Sequence, residues 1–292
     1  MNLFKLLRFI LMHPLNREGR LAAISRFVRW QIVCRLLDSK IEFPFVENTK
    51  LFAKRGMTGA TGNWYCGLHE AHDMGFVLHT LRPGSLFLDI GANIGSYTVL
   101  AAGGVGASVI CVEPISSTFE HLNANILLNG LGDRVHLHCV GVSDKSGILR
   151  FSSEQDTVNH VLGAYEIAPH VEVPVTTIDT LCADRIPSVI KIDVEGHEKA
   201  VLLGASITLA STDLLAVVME TNGSGLRYGE NDTDLFSIMS KFGFSPVGYD
   251  IFSRRLLDRP IAGGNTIFVK NLARVQSLVT SARRYRLVNG WV

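Results

Sequence analysis

Phe87-Leu88-Asp89-Ile90-Gly91-Ala92-Asn93-Ile94-Gly95 is the stretch on which the reading of this chain turns. An apolar run of strand length leads straight into a Gly-rich turn, and a helix is expected from Ser96. Glycines at 91 and 95 let the backbone turn tightly and approach a ligand. The helix N-terminus beyond them is expected to point free N–H groups at that ligand. This is the layout of the first βα turn of a nucleotide-cofactor fold.

Two residues choose the cofactor. The NAD fingerprint G-x-G-x-x-G uses its second glycine to clear room for a pyrophosphate. Here Asn93 takes that position and Ser96 replaces the third glycine. Asp89 also places a carboxylate at the lip of the turn, where it repels a pyrophosphate and attracts a cation. S-adenosylmethionine (SAM) carries an α-ammonium and a sulfonium and no phosphate. The turn therefore favours SAM, with Asp89, Gly91, Ala92, Asn93 and Gly95 as cofactor residues.

Working outward, the elements alternate in the βαβ rhythm of a parallel sheet. A helix is expected over 96–102, stopped by Gly103-Gly104, and a buried apolar strand over 107–112. That strand ends at Glu113-Pro114, about 20 residues past the glycines, where an acid holds ribose hydroxyls; a helix N-terminal acid is the other reading. A helix over 117–128 and a strand over 135–142 follow. At the strand's end Asp144 can accept from the adenine amino group, or simply shape a turn. Strands over 148–152 and 171–175 read as an insertion, joined by a polar loop, 154–160, that could close over a substrate.

Val189-Ile190-Lys191-Ile192-Asp193-Val194-Glu195-Gly196-His197-Glu198 is the second dense stretch. It reads as strand, turn and helix start, continuing over 200–209. Ligands in open α/β sheets sit outside the carboxyl ends of the strands, which is where Asp193 falls. Lys191 shares its side of the strand. A buried lysine needs a partner, so a purely structural Lys191–Asp193 pair is the alternative. A strand over 214–219 ends at Glu220-Thr221-Asn222. A helix over 232–242, an antiparallel pair at 244–249 and 265–269, and a basic helix over 272–287 complete the chain.

Before the decisive stretch, residues 3–37 alternate apolar and basic positions at helical spacing. Pro14 breaks the pattern, and Asn16 is expected to cap the second helix. Residues 1–40 carry eight Lys and Arg against Glu18 and Asp38, a local +6 within a chain of net +1. This arm reads either as a basic amphipathic surface for anionic lipid or as a helical lid or homodimer arm with a solvated basic face. Short strands are expected at 41–43 and 50–53, a Gly-rich turn over 56–62, and a helix over 70–81. His69-Glu70-Ala71-His72 lacks the i, i+4 spacing of a zinc motif.

Bulk properties narrow the class. A chain of 292 residues, 47% hydrophobic and 19% charged, builds one large α/β domain with an appendage. A net charge near zero recruits no nucleic acid. Five scattered cysteines without C-x-x-C suit thiols in a reducing compartment. No apolar run reaches membrane-spanning length and no cleavage site follows the apolar start. A cytoplasmic protein is expected, with peripheral contact at the inner face of the membrane if the arm binds lipid.

The chain resembles the FkbM family of SAM-dependent methyltransferases over about residues 67–270. The likeness rests on Asp89 to Gly95, Glu113-Pro114, Val142-Ser143-Asp144 and Lys191 to Glu198, the last being the most specific. Glu70 also falls where the family has an acid, which implies a cofactor role for it. The resemblance implies a class I fold: a seven-stranded, mostly parallel, doubly wound α/β sheet with helices on both faces. It implies O-methylation of hydroxyls on sugars, surface polysaccharides, glycolipids or polyketides. Residues 1–66 then form an N-terminal helical arm and cap, 67–270 the methyltransferase domain, and 271–292 a basic tail.

Displacement at a methyl group by a hydroxyl needs a base. His197 is the first candidate, or else a histidine packing at a helix start; Asp193 and Glu220 follow, and then His160. Metal-free transfer is expected, with Mg²⁺ on Asp193, Glu220 and Asn222 as the variant. The rivals are an NAD-dependent oxidoreductase and a catalytically silent membrane-surface scaffold.

Overall fold

The structure is a computed structural model that describes residues 3–37, 39–152, 159–163, 166–261 and 264–292. Two helices open it, α1 (Leu3–Met12) and α2 (Arg20–Leu36), parted by a 3₁₀ turn at Pro14–Asn16. Proline stops α1 because the residue before it is pushed out of the helical region. Asn16 does not cap α2, which starts behind Gly19. It is buried instead, donating to the carbonyls of Ile10 and Tyr65 and accepting from Arg26 and Asn289. One amide thus ties the arm to the middle and the end of the chain.

A hairpin, β1 (Ile41–Pro44) and β2 (Lys50–Ala53), precedes α3 (Thr58–Cys66). The turn expected over 56–62 is therefore largely helix. Packing overrides the poor propensity of glycine here: a Cβ on Gly62 would lie 1.9 Å from the His69 ring. Next come α4 (Ala71–Thr80), β3 (Leu86–Ile90) and α5 (Ser96–Val99). α5 runs on as a π-turn over Leu100–Val105, through both glycines expected to stop it, and ends at left-handed Gly106.

β4 (Ser108–Val112), α6 (Ser116–Leu128) and β5 (Val135–His138) follow. The single strand expected over 135–142 is split. β6 (Gly141–Val142) leaves the main sheet and joins β7 (Gly147–Ser152) and β8 (His170–Thr176) in a small sheet of order β6-β8-β7. Most of the polar loop at 154–160 lies outside the described residues. α7 (Ile178–Cys182) leads to β9 (Val189–Ile192), and α8 (Glu198–Leu203) and α9 (Ser206–Ala210) replace the one helix expected. The chain closes with β10 (Ala216–Glu220), a 3₁₀ turn at Ser224–Tyr228, α10 (Asp232–Lys241), β11 (Ser245–Asp250), β12 (Arg255–Leu257), β13 (Asn265–Val269), α11 (Leu272–Ser281), β14 (Arg286–Leu287) and β15 (Gly290–Trp291). The basic helix expected to reach 287 thus ends at Ser281.

The main sheet has eight strands, one more than expected, in the order β12-β11-β13-β10-β9-β3-β4-β5. β5, β4, β3, β9 and β10 run parallel, and β13 runs against both β10 and β11. β12 is the added edge strand. Chain order reverses at β3, which lies between β4 and β9, so the crevice for a ligand opens at the carboxyl ends of these strands. Every residue of β3 and β9 is buried, as a sheet covered on both faces demands. Strand alternation sends Leu88, Ile90, Ile190 and Ile192 to one core, and Phe87 and Val189 to the other. The second core also takes in Ile10, Phe27 and Trp30, and Tyr285 and Val292, so arm and tail share the domain's core.

Candidate functional site

A cavity of about 290 Å³ opens at the carboxyl ends of β3, β4 and β9. Asp89, Gly91, Ala92, Asn93, Glu113, Pro114, Glu70, Asp193 and His197 all line it. Gly95 shapes the turn from outside that lining. It caps α5 at φ +88°, and a Cβ there would lie 2.4 Å from Leu122. Gly91, at φ +74°, lets the tips of β3 and β9 meet; its Cβ would lie 1.8 Å from the Asp193 carbonyl oxygen. A side chain there clashes with backbone that cannot move aside.

The turn does not present the free amides expected of it. Gly91 and Ala92 both donate to the Val112 carbonyl, Gly95 donates to Ala92, and Ile94 donates to the Asn93 side chain at 2.8 Å. The Asn93 amide donates to Glu113 Oε2 at 3.0 Å. These donors are consumed inside the protein, so this turn offers no cradle for a pyrophosphate. That removes the physical basis of the NAD reading.

What the turn offers is carboxylate. Asp89 is 1% exposed and accepts the Thr98 hydroxyl at 2.6 Å. Burial pushes its pKa up to about 6, against the Thr98 bond and Lys191. Glu113 takes amides on both oxygens, from Asn93 and from Ile115 at 3.0 Å, yet burial still pushes it up to about 7. Lys191 is the one permanent cation among the described lining residues. Buried acids in such excess suit a ligand that brings positive charge and O–H donors, as the α-ammonium and ribose of SAM do. The residues lining the cavity therefore fit the cofactor.

Glu70 is held in place where it lines the cavity. Its Oε2 accepts the Tyr97 hydroxyl at 2.6 Å and its Oε1 accepts Asn265 at 2.9 Å. Asn265 also donates to Asp73, which burial and Glu70 push up to about 7. Neither Tyr97 nor Asn265 is signalled by a motif, because they join Glu70 only through the sheet. Asp144 is not brought to the cavity. It is exposed and accepts from Ser143, beside the lining residue His197 whose ring it influences.

At the β9 rim, Lys191 is a register partner of Asp89 and lies 3.0 Å from Asp193 Oδ2. Burial alone would lower the ammonium, but Asp193, Glu70 and Glu220 hold it above the ordinary lysine range. The loop that follows is shaped by Glu198, whose buried Oε1 accepts the amides of Val194 and Gly196. His197 consequently sits at the mouth, with Nε2 3.0 Å from Ser143 Oγ and its ring edge-on to Tyr228. Burial lowers its pKa, partly offset by Asp144, which favours the neutral imidazole.

Asp193, Glu195 and Glu220 converge, each with a ligand-capable oxygen within 4.8 Å of the others. Glu195 takes the place expected for Asn222, whose Oδ1 accepts the Ser224 amide instead. Burial and then Asp193 raise Glu220 above the ordinary carboxylate range, and its buried Oε2 has no hydrogen-bond partner among the described residues. Glu220 stands outside the cavity lining. His160 is buried against Glu166 at 3.2 Å, between lining residues Asn159 and Val161 but not itself lining. Sequence reasoning missed α3, which lines the cavity through Gly59, Ala60 and Asn63.

The hexuronic acid methyltransferase AglP of Haloferax volcanii is 29% identical over 153 residues, 48% of this chain and 58% of that protein, so the chain spans less than two thirds of that relative. Among solved structures, TYW2 of P. horikoshii in complex with MeSAdo shares 14% identity and a TM-score of 0.42 over 80% of this chain and 70% of that one. A SAM-dependent methyltransferase from Agrobacterium tumefaciens shares 11% and 0.44 over 80% and 69%. The methyltransferase FkbM domain matches residues 89–246, more than half of the chain and both dense motifs. The chain belongs to the FkbM methyltransferase family.

Proposed function

We propose that this chain is an O-methyltransferase that moves the methyl group of SAM to a hydroxyl of a sugar-type acceptor, free or within a polysaccharide or glycolipid. The observation that carries the reading is the meeting of Asp89, Glu113, Asp193 and His197 around one cavity. When bound, SAM supplies a methyl group on a positively charged sulfur, whose charge is lost on transfer. Asp89 and Glu113 orient that ligand from the β3 and β4 rim. Alignment of the reacting atoms then supplies much of the rate. His197, neutral because it is buried, takes the acceptor's proton, and Ser143 orients the ring. Asp193 accepts an acceptor hydroxyl while Lys191 fixes its direction. The likeness to AglP supports a sugar acceptor, and a polyketide hydroxyl is the other acceptor of the same chemistry.

A nearby cation is already built in as Lys191, so transfer proceeds without a divalent metal. The test is labelled-methyl transfer from SAM to panels of sugar, glycolipid and polyketide hydroxyls, with and without a chelator. Transfer to a sugar hydroxyl that survives chelation supports the reading. Absent SAM uptake overturns it, and transfer abolished by the chelator and restored by Mg²⁺ overturns its metal-free part.

A further inference from the structure

The outer face of the two N-terminal helices is not used by the site. α1 and α2 are anchored on their inner side, where Ile10, Ala23, Phe27 and Trp30 enter the core. Buried Arg26 of α2 donates to Asn16 and to the Tyr65 carbonyl, the latter at 2.8 Å. The opposite side of α2 carries Leu21, Val28, Ile32 and Leu36, with Leu21 88% and Leu36 77% exposed. At 3.6 residues per turn these four fall within an arc of about 80°. α1 adds Phe4 and Met12, also exposed.

Around this apolar stripe stand Lys5, Arg8, Arg20, Arg29 and Arg35, all exposed. Neither helix contains an acidic residue. Among the described residues none of the five basic groups pairs with a carboxylate. An apolar stripe flanked by unpaired cations is the composition of a helix that lies in the interface of a bilayer bearing anionic lipid. A second copy of the chain would bring the same cations face to face, so charge selects the lipid surface over self-association.

We infer that α1 and α2 form a docking face for an anionic lipid bilayer, with Leu21, Val28, Ile32 and Leu36 entering the acyl boundary and the arginines engaging the headgroups. α3, which lines the cavity and bonds to α2 through Trp64 and the Arg26 carbonyl, then lies one helix layer from the lipid. This inference stands whether or not the acceptor is a sugar.

The test is co-sedimentation of the full chain with vesicles of phosphatidylcholine alone and of phosphatidylcholine and phosphatidylglycerol in equal amounts. Binding is expected to the mixed vesicles only, and to fall as salt rises. Two variants separate the contributions: Leu21→Ser/Val28→Ser/Ile32→Ser/Leu36→Ser, and Arg20→Gln/Arg29→Gln/Arg35→Gln. The arginine variant is expected to bind roughly hundredfold more weakly, since each arginine removed takes one positive charge away from the anionic headgroups. SAM uptake is expected to stay at the native level in both, which shows that they are folded; should the first unfold, the arginine variant decides. Equal binding of native and arginine-variant chains overturns the inference, as does failure of the native chain to sediment with mixed vesicles. A native dimer that the serine variant makes monomeric, seen by analytical ultracentrifugation, also overturns it by giving the face to a second copy.

Discussion

The two rims of the cavity carry the same residue type and use it in opposite ways. At the β3–β4 rim, Asp89 and Glu113 are tied down by donors of the protein itself: the Thr98 hydroxyl and the amides of Asn93 and Ile115. At the β9 rim, Asp193 and Glu195 crowd against Glu220 of β10, which lies outside the lining, with Lys191 on Asp193 and, among the described residues, no partner for Glu220 Oε2. On the proposed reading the first rim is preorganised to receive the cofactor. The second keeps unspent acceptors, which suits it to the O–H donors of an acceptor that enters and leaves. The difference teaches that acids in one row of strand ends differ in which of their hydrogen bonds are already made, and the proposed function assigns the two groups to cofactor and acceptor.

Substitutions can break that comparison. The largest effect is expected at the mouth: His197→Ala should lower kcat by about 10²- to 10⁴-fold, the usual yield of a general base, with little change in SAM affinity. Steady-state kinetics beside calorimetry check this, and a native kcat would remove His197 from catalysis. Lys191→Met should cost about 1 kcal/mol or more of stability, less than a fully buried pair would, because the Asp193 carboxylate left without its cation is partly solvated. Denaturant unfolding measures it. A loss confined to activity would instead make Lys191 a group acting on the acceptor.

At the quieter rim, Asp89→Asn or Glu113→Gln should weaken SAM by about tenfold or more while leaving the acceptor KM unchanged, since a hydrogen bond to a charged group contributes about 1.5–3 kcal/mol. The same rim sets a pH dependence. Burial holds Asp89 at about 6 and Glu113 at about 7, so in the ligand-free protein both bind protons that the unfolded chain would release. Folding stability therefore falls as pH rises from the ordinary carboxylate range through these values. A cationic ligand favours the ionised acids, so SAM affinity should climb with pH up to about 7 and then level. Calorimetry in buffers of different ionisation enthalpy should show proton release below that point, and a flat profile would dissociate the acids from binding. The smallest effect is expected from Asp144→Ala, within about 0.5 kcal/mol in stability and SAM affinity, because its side chain is exposed and off the cavity. A clear loss of affinity would restore its adenine role.

Much of this was legible in the chain itself. The apolar runs at 86–90, 108–112 and 189–192 had to be strands buried on both faces, and the acids at or just past their ends, Asp89, Glu113 and Asp193, line the cavity. Those are local consequences of side-chain period and of the cost of burying charge. Where short-range rules erred, a distant contact had intervened. Gly62 is helical because His69 packs on it, and the π-turn runs through Gly103 and Gly104, where Cβ atoms would meet Thr49 and Val46. Asn16 leaves its capping role for partners at Tyr65 and Asn289.

The sequence by itself determined the order of strands and turns, the acids at their tips and the preference for a cationic ligand, because periodicity and charge act along the chain. Only the tertiary structure decided which acids are already satisfied, that Glu195 rather than Asn222 joins Asp193 and Glu220, and that Asp144 stands apart. Hydrogen bonds such as Tyr97 to Glu70 and Asn93 to Glu113 join residues 20 or more apart in sequence, and only the packed sheet brings those groups within reach of one another.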